Sequence, residues 1–201
     1  MKIIGVLGYQ GDLRFHVEKA KQALEKNKIE GSVKIVKKPK EIEEIDALII
    51  SGGESTVMGA IAKKVGALAT IKKKIEQNIP VLGTCAGAIF LAKIVYDKIV
   101  GKTNQPILEI LDVEVERNSY GPQKDSFEAT LDIPEIGDIP FKGIFIRAPT
   151  IKNPAANVKI LAKFNDDIVA VRQNNIIATT FHPEISDDIR IHEYFVNLLK
   201  N

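Results

Sequence analysis

The stretch Pro80-Val81-Leu82-Gly83-Thr84-Cys85-Ala86-Gly87 decides the fold of this chain. Its first half is an apolar run typical of a buried strand, and the apolar residues from Ala86 to about Val95 favour a helix. Between them, Gly83-Thr84-Cys85-Ala86-Gly87 has the G-x-C-x-G spacing of a strained nucleophile elbow. A sharp strand-to-helix turn needs small residues on both sides of the side chain that it projects. The sequence therefore predicts a strand, a tight turn and a helix in an α/β protein.

Strand and helix patterns alternate on the N-terminal side of this stretch. Apolar runs predict strands over Lys2–Leu7, Val33–Val36, Asp46–Ile50 and Pro80–Gly83, and helical spacing predicts helices over Asp12–Lys28 and Ser55–Gln77, the latter with a break near Gly66. Strands without polar alternation are typical of a parallel sheet that is covered by helices on both faces.

The pattern changes on the C-terminal side. Alternating residues predict strands over Leu111–Val115, Phe127–Ile133, Phe141–Ile146, Val158–Phe164 and Ile168–Val171. An apolar strand over Ile176–Phe181 and an amphipathic helix over Asp188–Lys200 follow. We therefore expect one domain over residues 1–201, with a three-layer, open, mostly parallel α/β sheet. An antiparallel, β-rich insertion precedes its last strand and helix.

The composition excludes several functional classes. Of the 201 residues, 45% are hydrophobic and 27% are charged, which suffices for one substantial core. No apolar run approaches the roughly 18 residues of a membrane span and no cleavage-site pattern follows Met1, so we expect neither a membrane anchor nor secretion. A net charge of +2 does not favour nucleic acid as the main partner. The single cysteine excludes a disulfide framework and a cysteine zinc site, and it predicts a cytoplasmic protein.

Cys85 is the candidate nucleophile. A helix that begins just after it adds a positive dipole end, which favours the reactive thiolate. The alternative is a buried structural cysteine in a glycine-rich turn. The order of strand, tight turn and helix favours the catalytic interpretation.

His182 is the candidate base among the three histidines. It follows a predicted strand and precedes Pro183, which favours an extended conformation. Glu184 then lies on the same side of the chain and can orient the imidazole, so a Cys-His-Glu triad is predicted. His16 and His192 lie in predicted helices among charged residues, and we expect both at the surface or its boundary.

Two loops follow predicted strands at the carboxyl edge of the sheet, where open α/β sheets bind ligands. Gly52-Gly53-Glu54-Ser55 can offer the Gly53 N–H to an oxyanion, together with the N–H of Ala86. A plain turn in which Ser55 caps the next helix explains the same residues. Gly8-Tyr9-Gln10-Gly11 lacks the G-x-G-x-x-G pattern, so NAD binding is not supported.

Arg117 and Arg147 are candidate ligand-binding residues. Both end predicted strands, and a planar guanidinium suits a carboxylate. An ordinary salt bridge is the alternative for each of them.

Together these motifs resemble the class I glutamine amidotransferases of flavodoxin-like fold, in which a cysteine elbow and a His-x-Glu pair occur in this order. Within that class, several segments resemble the glutaminase subunits of pyridoxal 5'-phosphate synthase: Gly5-Val6-Leu7 through Gln10-Gly11, Leu48 to Thr56, Gly83 to Gly87, Arg117 to Gly121, Phe145 to Pro149 and Phe181 to Glu184. The chain departs from that pattern at Tyr9, where Leu is usual, and at Pro122, where Arg is usual.

The resemblance implies a role for each of these segments. Cys85 is the implied nucleophile, and His182 and Glu184 complete the triad. The residues implied to bind glutamine are Gly53, Glu54, Ser55, Arg117, Ile146 and Arg147. Gln10 and Gly11 are implied to couple activity to a (β/α)8 synthase subunit in a hetero-oligomer. No cofactor or metal is implied.

Two other functions remain open on the sequence. One is the glutaminase subunit of another amidotransferase, such as that of histidine biosynthesis. The other is a non-enzymatic redox sensor of the DJ-1 type, which also has an elbow cysteine but gives no role to His182 and Glu184.

Overall fold

The computed structural model describes residues 1–120 and 126–200. Its strands are β1 (Lys2–Leu7), β2 (Gly31–Val36), β3 (Ala47–Ile50), β4 (Val81–Thr84), β5 (Ala92–Asp97), β6 (Gly101–Lys102), β7 (Leu111–Arg117), β8 (Ser126–Leu131), β9 (Phe141–Ile146), β10 (Thr150–Lys152), β11 (Lys159–Phe164), β12 (Asp167–Gln173) and β13 (Ile176–Thr179). Its helices are α1 (Leu13–Lys26), α2 (Pro39–Glu43), α3 (Ser55–Lys64), α4 (Ala67–Glu76), α5 (Ala86–Leu91) and α6 (Arg190–Asn197).

One large sheet organises the described residues, in the order β2-β1-β3-β4-β13-β12-β10-β7-β5-β6, with β11 paired to β12. The half from β2 to β13 is parallel. The pairs β12/β13, β10/β12, β7/β10 and β11/β12 are antiparallel, and β5 and β7 are parallel to each other. β8 and β9 form a separate antiparallel hairpin. The mostly parallel α/β sheet and its β-rich insertion are therefore confirmed.

Helices cover both faces of the sheet because its central strands are apolar on both sides. Ile4, Val6, Leu48 and Ile50 are all buried. On one face α2, α3, α4 and α5 pack into the core, and on the other α1, α6 and the β8–β9 hairpin do so. The three-layer prediction is confirmed, as is the helix break at Gly66, which adopts a left-handed φ of 73°. Among the described residues, no helix has both the length and the apolar character to cross a membrane.

The helix predicted from Ala86 to Val95 is wrong in its second half. α5 ends at Leu91, and β5 begins at Ala92. The carbonyls of Phe90 and Leu91 accept from the N–H groups of Leu108 and Ile110, at 2.8 and 3.1 Å, so these carbonyls are bonded by another part of the chain. The short elements α2, β5, β6 and β10 were not predicted, and the other predicted elements are confirmed with bounds that differ by a few residues.

Candidate active site

Cys85 stands at a strained turn between β4 and α5. Its φ of 50° and ψ of −107° are unusual for a residue with a side chain. The backbone is held in this conformation because Cys85 N–H donates to the Thr179 carbonyl of the neighbouring strand at 2.8 Å, and the Cys85 carbonyl accepts from Ala88 N–H at 3.0 Å. The turn is therefore maintained by the sheet and by the helix that it joins.

The two glycines that flank the turn leave no room for a side chain. A Cβ on Gly87 would lie 2.0 Å from the Ile50 carbonyl oxygen, and one on Gly83 would lie 2.5 Å from Leu91 Cδ1. Both distances are far below van der Waals contact. The predicted need for small residues on either side of Cys85 is confirmed.

His182 and Glu184 lie close together as predicted, but in a turn and not in the predicted extended segment, because Ile185 N–H donates to the His182 carbonyl at 3.3 Å. His182 Nδ1 and Glu184 Oε1 are 2.7 Å apart. His182 N–H donates to the Ile144 carbonyl at 2.8 Å, which anchors the segment to β9. The ring lies so close to Gly52 that a Cβ there would be 2.5 Å from His182 Cε1, so the glycine after β3 makes room for the imidazole.

Burial and hydrogen bonding set opposite charges on this pair. Burial alone would lower the pKa of His182, but its hydrogen bonds to Cys85 and Glu184 outweigh that effect and raise the pKa to about 10. Burial alone would raise the pKa of Glu184, but His16 and His182 outweigh it and lower the pKa to about 2. A protonated imidazole beside the cysteine sulfur is the arrangement of a thiolate–imidazolium pair.

A cavity of about 300 Å³ opens in front of Cys85 and His182. Its lining residues are Gln10, Gly53, Glu54, Ser55, Cys85, Ile89, Arg117, Asn118, Ile146, Arg147 and His182. This volume suits a small metabolite. The cavity brings together most of the residues singled out in the sequence.

Three of the singled-out residues do not line the cavity. Glu184 lies behind His182 and is 5% exposed, and Ala86 is buried at the start of α5. Gly11, with a φ of 84°, packs under the β3 loop, where a Cβ would lie 2.5 Å from the Gly52 carbonyl oxygen.

Two lining residues were assigned no role from the sequence. Ile89 lies one turn along α5 from the elbow. In the sequence it is part of an apolar run, which indicated only a buried core residue. Asn118 follows Arg117 with a φ of 55°, and its side-chain amide donates to Asp97 Oδ2 at 3.2 Å. Asn118 belongs to the Arg117 to Gly121 segment that carries the family resemblance, and this position could have identified it as a site residue.

Arg117 and Glu54 form an ion pair at the mouth of the cavity. Arg117 Nη2 lies 3.1 Å from Glu54 Oε1, and Arg117 Nη1 donates to Thr56 Oγ1 and Gln105 Oε1 at 3.0 and 2.9 Å. The expectation that Ser55 caps the next helix is wrong: Glu54 is the capping residue, accepting from Thr56 N–H at 3.2 Å. Ser55 Oγ instead accepts from the Gln105 amide at 3.0 Å.

Arg147 is the free cation of the cavity among the described residues. It follows β9 with a φ of 42° and is exposed. No described side chain forms an ion pair with it, in contrast to Arg117. The neighbouring Ile146 carbonyl oxygen lies 3.9 Å from Cys85 Sγ.

The Gln10-Gly11 loop packs against the Gly52-Gly53 turn. Ser51 Oγ donates to the Gln10 carbonyl at 2.6 Å. Gly53 has a φ of 130°, and a Cβ there would lie 2.6 Å from Gln10 Cβ. Tyr9 turns toward β2, where its hydroxyl donates to the Lys37 carbonyl at 2.8 Å. The other departure from the family pattern, Pro122, lies outside the described residues, as does Gly121.

The expectation for His16 and His192 is wrong. Both side chains are fully buried, because α1 and α6 pack against each other on one face of the sheet. The charged neighbours of each histidine point outward, whereas the histidine lies on the inner side of its helix.

The sheet order and the strained cysteine turn after β4 are those expected of a class I glutamine amidotransferase. The chain matches the SNO glutamine amidotransferase family over residues 6–201 and belongs to that family.

Relatives of nearly equal length share almost half of its residues. Two of them carry the name Pyridoxal 5'-phosphate synthase subunit PdxT. The protein from Nitrosopumilus maritimus is 45% identical over 98% of this chain and 96% of its own. The protein from Sulfurisphaera tokodaii is 48% identical over 98% of both chains.

Solved structures agree with the family assignment. A crystal structure of a glutamine amidotransferase superposes with a TM-score of 0.84 at 40% identity, covering 98% of this chain and 99% of that one. A glutamine amidotransferase from Thermotoga maritima, at 12% identity and a TM-score of 0.62, shares the fold alone.

Proposed function

We propose that this chain hydrolyses L-glutamine to L-glutamate and ammonia, and that the ammonia serves a pyridoxal 5'-phosphate synthase. The observation that carries the first part is that Cys85 and His182 line one cavity of about 300 Å³, with the His182 ring held by Glu184 at 2.7 Å. The names of the relatives from Nitrosopumilus maritimus and Sulfurisphaera tokodaii support the second part. They also favour this synthase over that of histidine biosynthesis.

The charges around the cavity suit the two ends of an amino acid. Arg147 has no ion-pair partner among the described residues, so it is available to the α-carboxylate of glutamine. Glu54 is half exposed and can accept from the α-ammonium group. Arg117 already bonds Glu54, Thr56 and Gln105, so its role is to orient Glu54. Ser55 and Ile146 complete the binding surface.

The reaction begins with a proton on His182 and a thiolate on Cys85. The sulfur attacks the side-chain carboxamide carbon, and the N–H groups of Gly53 and Ala86 stabilise the oxyanion, each worth roughly 10²- to 10³-fold in rate. His182 protonates the amide nitrogen, the C–N bond breaks and ammonia leaves. A γ-glutamyl thioester remains on Cys85.

Hydrolysis of the thioester returns the site to its starting state. His182, now neutral, takes a proton from water as the oxygen attacks the thioester carbon. The C–S bond breaks, glutamate leaves and the thiolate is restored beside a protonated His182. Glu184 holds the same imidazole nitrogen throughout, so the other nitrogen faces the sulfur in both halves.

The partner in this proposal is a (β/α)8 synthase subunit in a hetero-oligomer, with the Gln10-Gly11 loop as the coupling element. Gln10 lines the cavity while its loop packs on Gly53, so displacement of the loop would reach the oxyanion donor. A cytoplasmic location suits an unpaired cysteine that must stay reduced.

Glutamate release in the presence of the synthase subunit tests the proposal. The wild-type chain is expected to release glutamate, and Cys85→Ala is expected to lower the rate by about 10⁴-fold or more because no nucleophile remains. A glutamine-like diazo ketone should leave an adduct on Cys85, detected by mass spectrometry. A Cys85→Ala protein that still releases ammonia contradicts the mechanism, and a stable complex with a different synthase contradicts the assignment of the partner.

A further inference from the structure

A second group of buried polar side chains lies directly behind Glu184. His16 on α1 places Nε2 3.4 Å from Glu184 Oε2 and 3.2 Å from Thr84 Oγ1. His16 Nδ1 lies 3.3 Å from Nε2 of His192 on α6. A continuous line of polar atoms therefore runs from α6 through α1 to the carboxylate that orients His182.

The two oxygens of Glu184 have different surroundings. Oε1 pairs with His182 Nδ1 at 2.7 Å. Oε2 is buried and has no hydrogen-bond partner among the described residues, and His16 Nε2 lies 3.4 Å from it. Because half of a buried carboxylate charge resides on Oε2, an N–H that points at this atom stabilises the ionised form.

Both rings of the second group are neutral near neutral pH. Burial is the main cause that lowers the pKa of His16, and burial together with His16 lowers the pKa of His192 to about 3. Each ring therefore carries one N–H, and the position of that hydrogen determines what Glu184 meets.

One pair of tautomers suits the group better than the other. With the hydrogen on His16 Nε2, this N–H faces Glu184 Oε2 and Thr84 Oγ1, and His16 Nδ1 accepts from His192 Nε2–H. The opposite tautomer would direct a lone pair of His16 at the carboxylate. It would also require the hydrogen of His192 on Nδ1, which is buried and has no hydrogen-bond partner among the described residues.

We propose that His16 is a positioning residue that donates its Nε2–H to the second carboxylate oxygen of Glu184, and that His192 fixes the required tautomer. Glu184 is then held between two imidazoles, His182 at Oε1 and His16 at Oε2. The carboxylate cannot rotate, so the His182 ring keeps its orientation toward Cys85. The catalytic part of this inference rests on the proposed function, because it requires that Glu184 orients a base.

Nitrogen NMR of the full-length chain tests the tautomers without any activity measurement. The chain has three histidines, so ring ¹⁵N signals can be assigned from the spectra of His16→Gln and His192→Gln. We expect neutral rings with the hydrogen on Nε2 for both His16 and His192 at pH near 7. A His16 ring that is protonated, or that carries its hydrogen on Nδ1, overturns the proposal.

Steady-state kinetics with the synthase subunit test the positioning role. His16→Leu is expected to lower kcat by about 10- to 100-fold, the loss of one hydrogen bond to a charged group. KM for glutamine should stay unchanged, because His16 does not line the cavity. His16→Gln should restore most of kcat because its amide supplies an N–H near the position of Nε2. Leu24→Ala, a buried change on the same helix, is the control for mere weakening of α1 and should keep kcat.

The outcomes separate this inference from the proposed function. A wild-type chain that releases no glutamate refutes the proposed function, and the NMR result still decides the tautomers. An active wild type with a folded His16→Leu variant of equal kcat overturns the positioning role. If His16→Leu does not fold, His16→Gln decides: kcat near that of the wild type supports the role, and kcat reduced 100-fold or more with KM unchanged in a folded protein contradicts it.

Discussion

Two of the ion pairs at the candidate site have contrasting surroundings. His182 and Glu184 are 2.7 Å apart, with 11% and 6% of their side chains exposed. Arg117 and Glu54 are 3.1 Å apart, with 18% and 51% exposed. The first pair is shielded from water and has a fixed geometry, whereas the second can exchange its carboxylate partner for a ligand. The contrast teaches that burial, more than the presence of opposite charges, separates an orienting pair from a binding pair.

Glu184→Gln should have the largest effect. An amide keeps the shape but can present the wrong hydrogen-bonding group to His182, so kcat is expected to fall by about 10⁴-fold with little change in KM. Glutamate release in the presence of the synthase subunit measures both constants. The matched change Glu54→Gln should cost far less in kcat, and equal losses from the two changes would remove the distinction between the pairs.

Acid and alkali should weaken the fold through the buried histidines and Glu184. Glu184 stabilises the fold above its ordinary pKa of 4.5 and loses that contribution as pH falls toward about 2. His192, with a pKa lowered from 6.5 to about 3, costs stability as pH falls below 6.5. His182, with a pKa raised to about 10, stabilises the fold below pH 6.5 and loses that contribution as pH rises to about 10. We therefore expect the free energy of unfolding to be greatest near pH 6.5.

Urea unfolding over a pH series measures this dependence. His192→Leu should reduce the slope between pH 6.5 and 4 by up to about 1.4 kcal/mol per pH unit, the value for one proton. Glu54→Gln, in the exposed pair, should leave the slope near that of the wild type. Parallel curves for His192→Leu and the wild type would show that His192 does not stay neutral in the folded chain.

Arg117→Lys should affect binding more than chemistry. A lysine cannot keep the three contacts with Glu54, Thr56 and Gln105, so Glu54 becomes less well oriented. We expect KM for glutamine to rise by about tenfold, the equivalent of one hydrogen bond, with kcat within a few-fold of the wild type. A fall in kcat at unchanged KM would instead place Arg117 with the orienting residues.

Glu54→Gln should have the smallest effect on stability. An exposed ion pair contributes about 0.2–1 kcal/mol, and glutamine keeps an oxygen that can accept from Thr56 N–H. The difference in unfolding free energy should therefore be below about 1 kcal/mol and should shrink in high salt. A larger loss that is insensitive to salt would mean that this pair is effectively buried.

The parallel half of the sheet could be predicted from the sequence because its signals are local. Apolar runs such as Lys2–Leu7, which the structure reproduces residue for residue, identify strands covered on both faces. The Gly83 to Gly87 spacing identifies the turn that holds Cys85. The pairing of His182 with Glu184 was predicted from an extended segment, whereas a turn brings the two side chains together. The Cys85 turn and the His182 segment follow neighbouring parallel strands, β4 and β13, so they meet at the same edge of the sheet and line one cavity.

Features that depend on distant parts of the chain could not be predicted in this way. The apolar run after Cys85 continues through Val95, so the sequence gives no sign that the helix stops earlier. α5 ends at Leu91 because the last carbonyls of the helix accept hydrogen bonds from the N–H groups of Leu108 and Ile110. His16 lies four residues before the buried Ala20, and so on the inner face of α1. That spacing was a usable signal, but burial of the imidazole depends on α6, from the other end of the chain. The ion pair of Glu54 with Arg117 likewise joins separate segments.

The place of β13 in the sheet has a consequence for biosynthesis. β13 lies between β4 and β12, and Thr179 of β13 accepts from the Cys85 N–H. It is translated after every strand that it connects, and the His182-Pro183-Glu184 segment follows it directly. The elbow therefore has no paired neighbour on that side, and no base, until this late segment has been translated and inserted. A nascent or prematurely terminated chain that lacks it cannot assemble the proposed triad, so unfinished copies would not hydrolyse glutamine by the proposed mechanism.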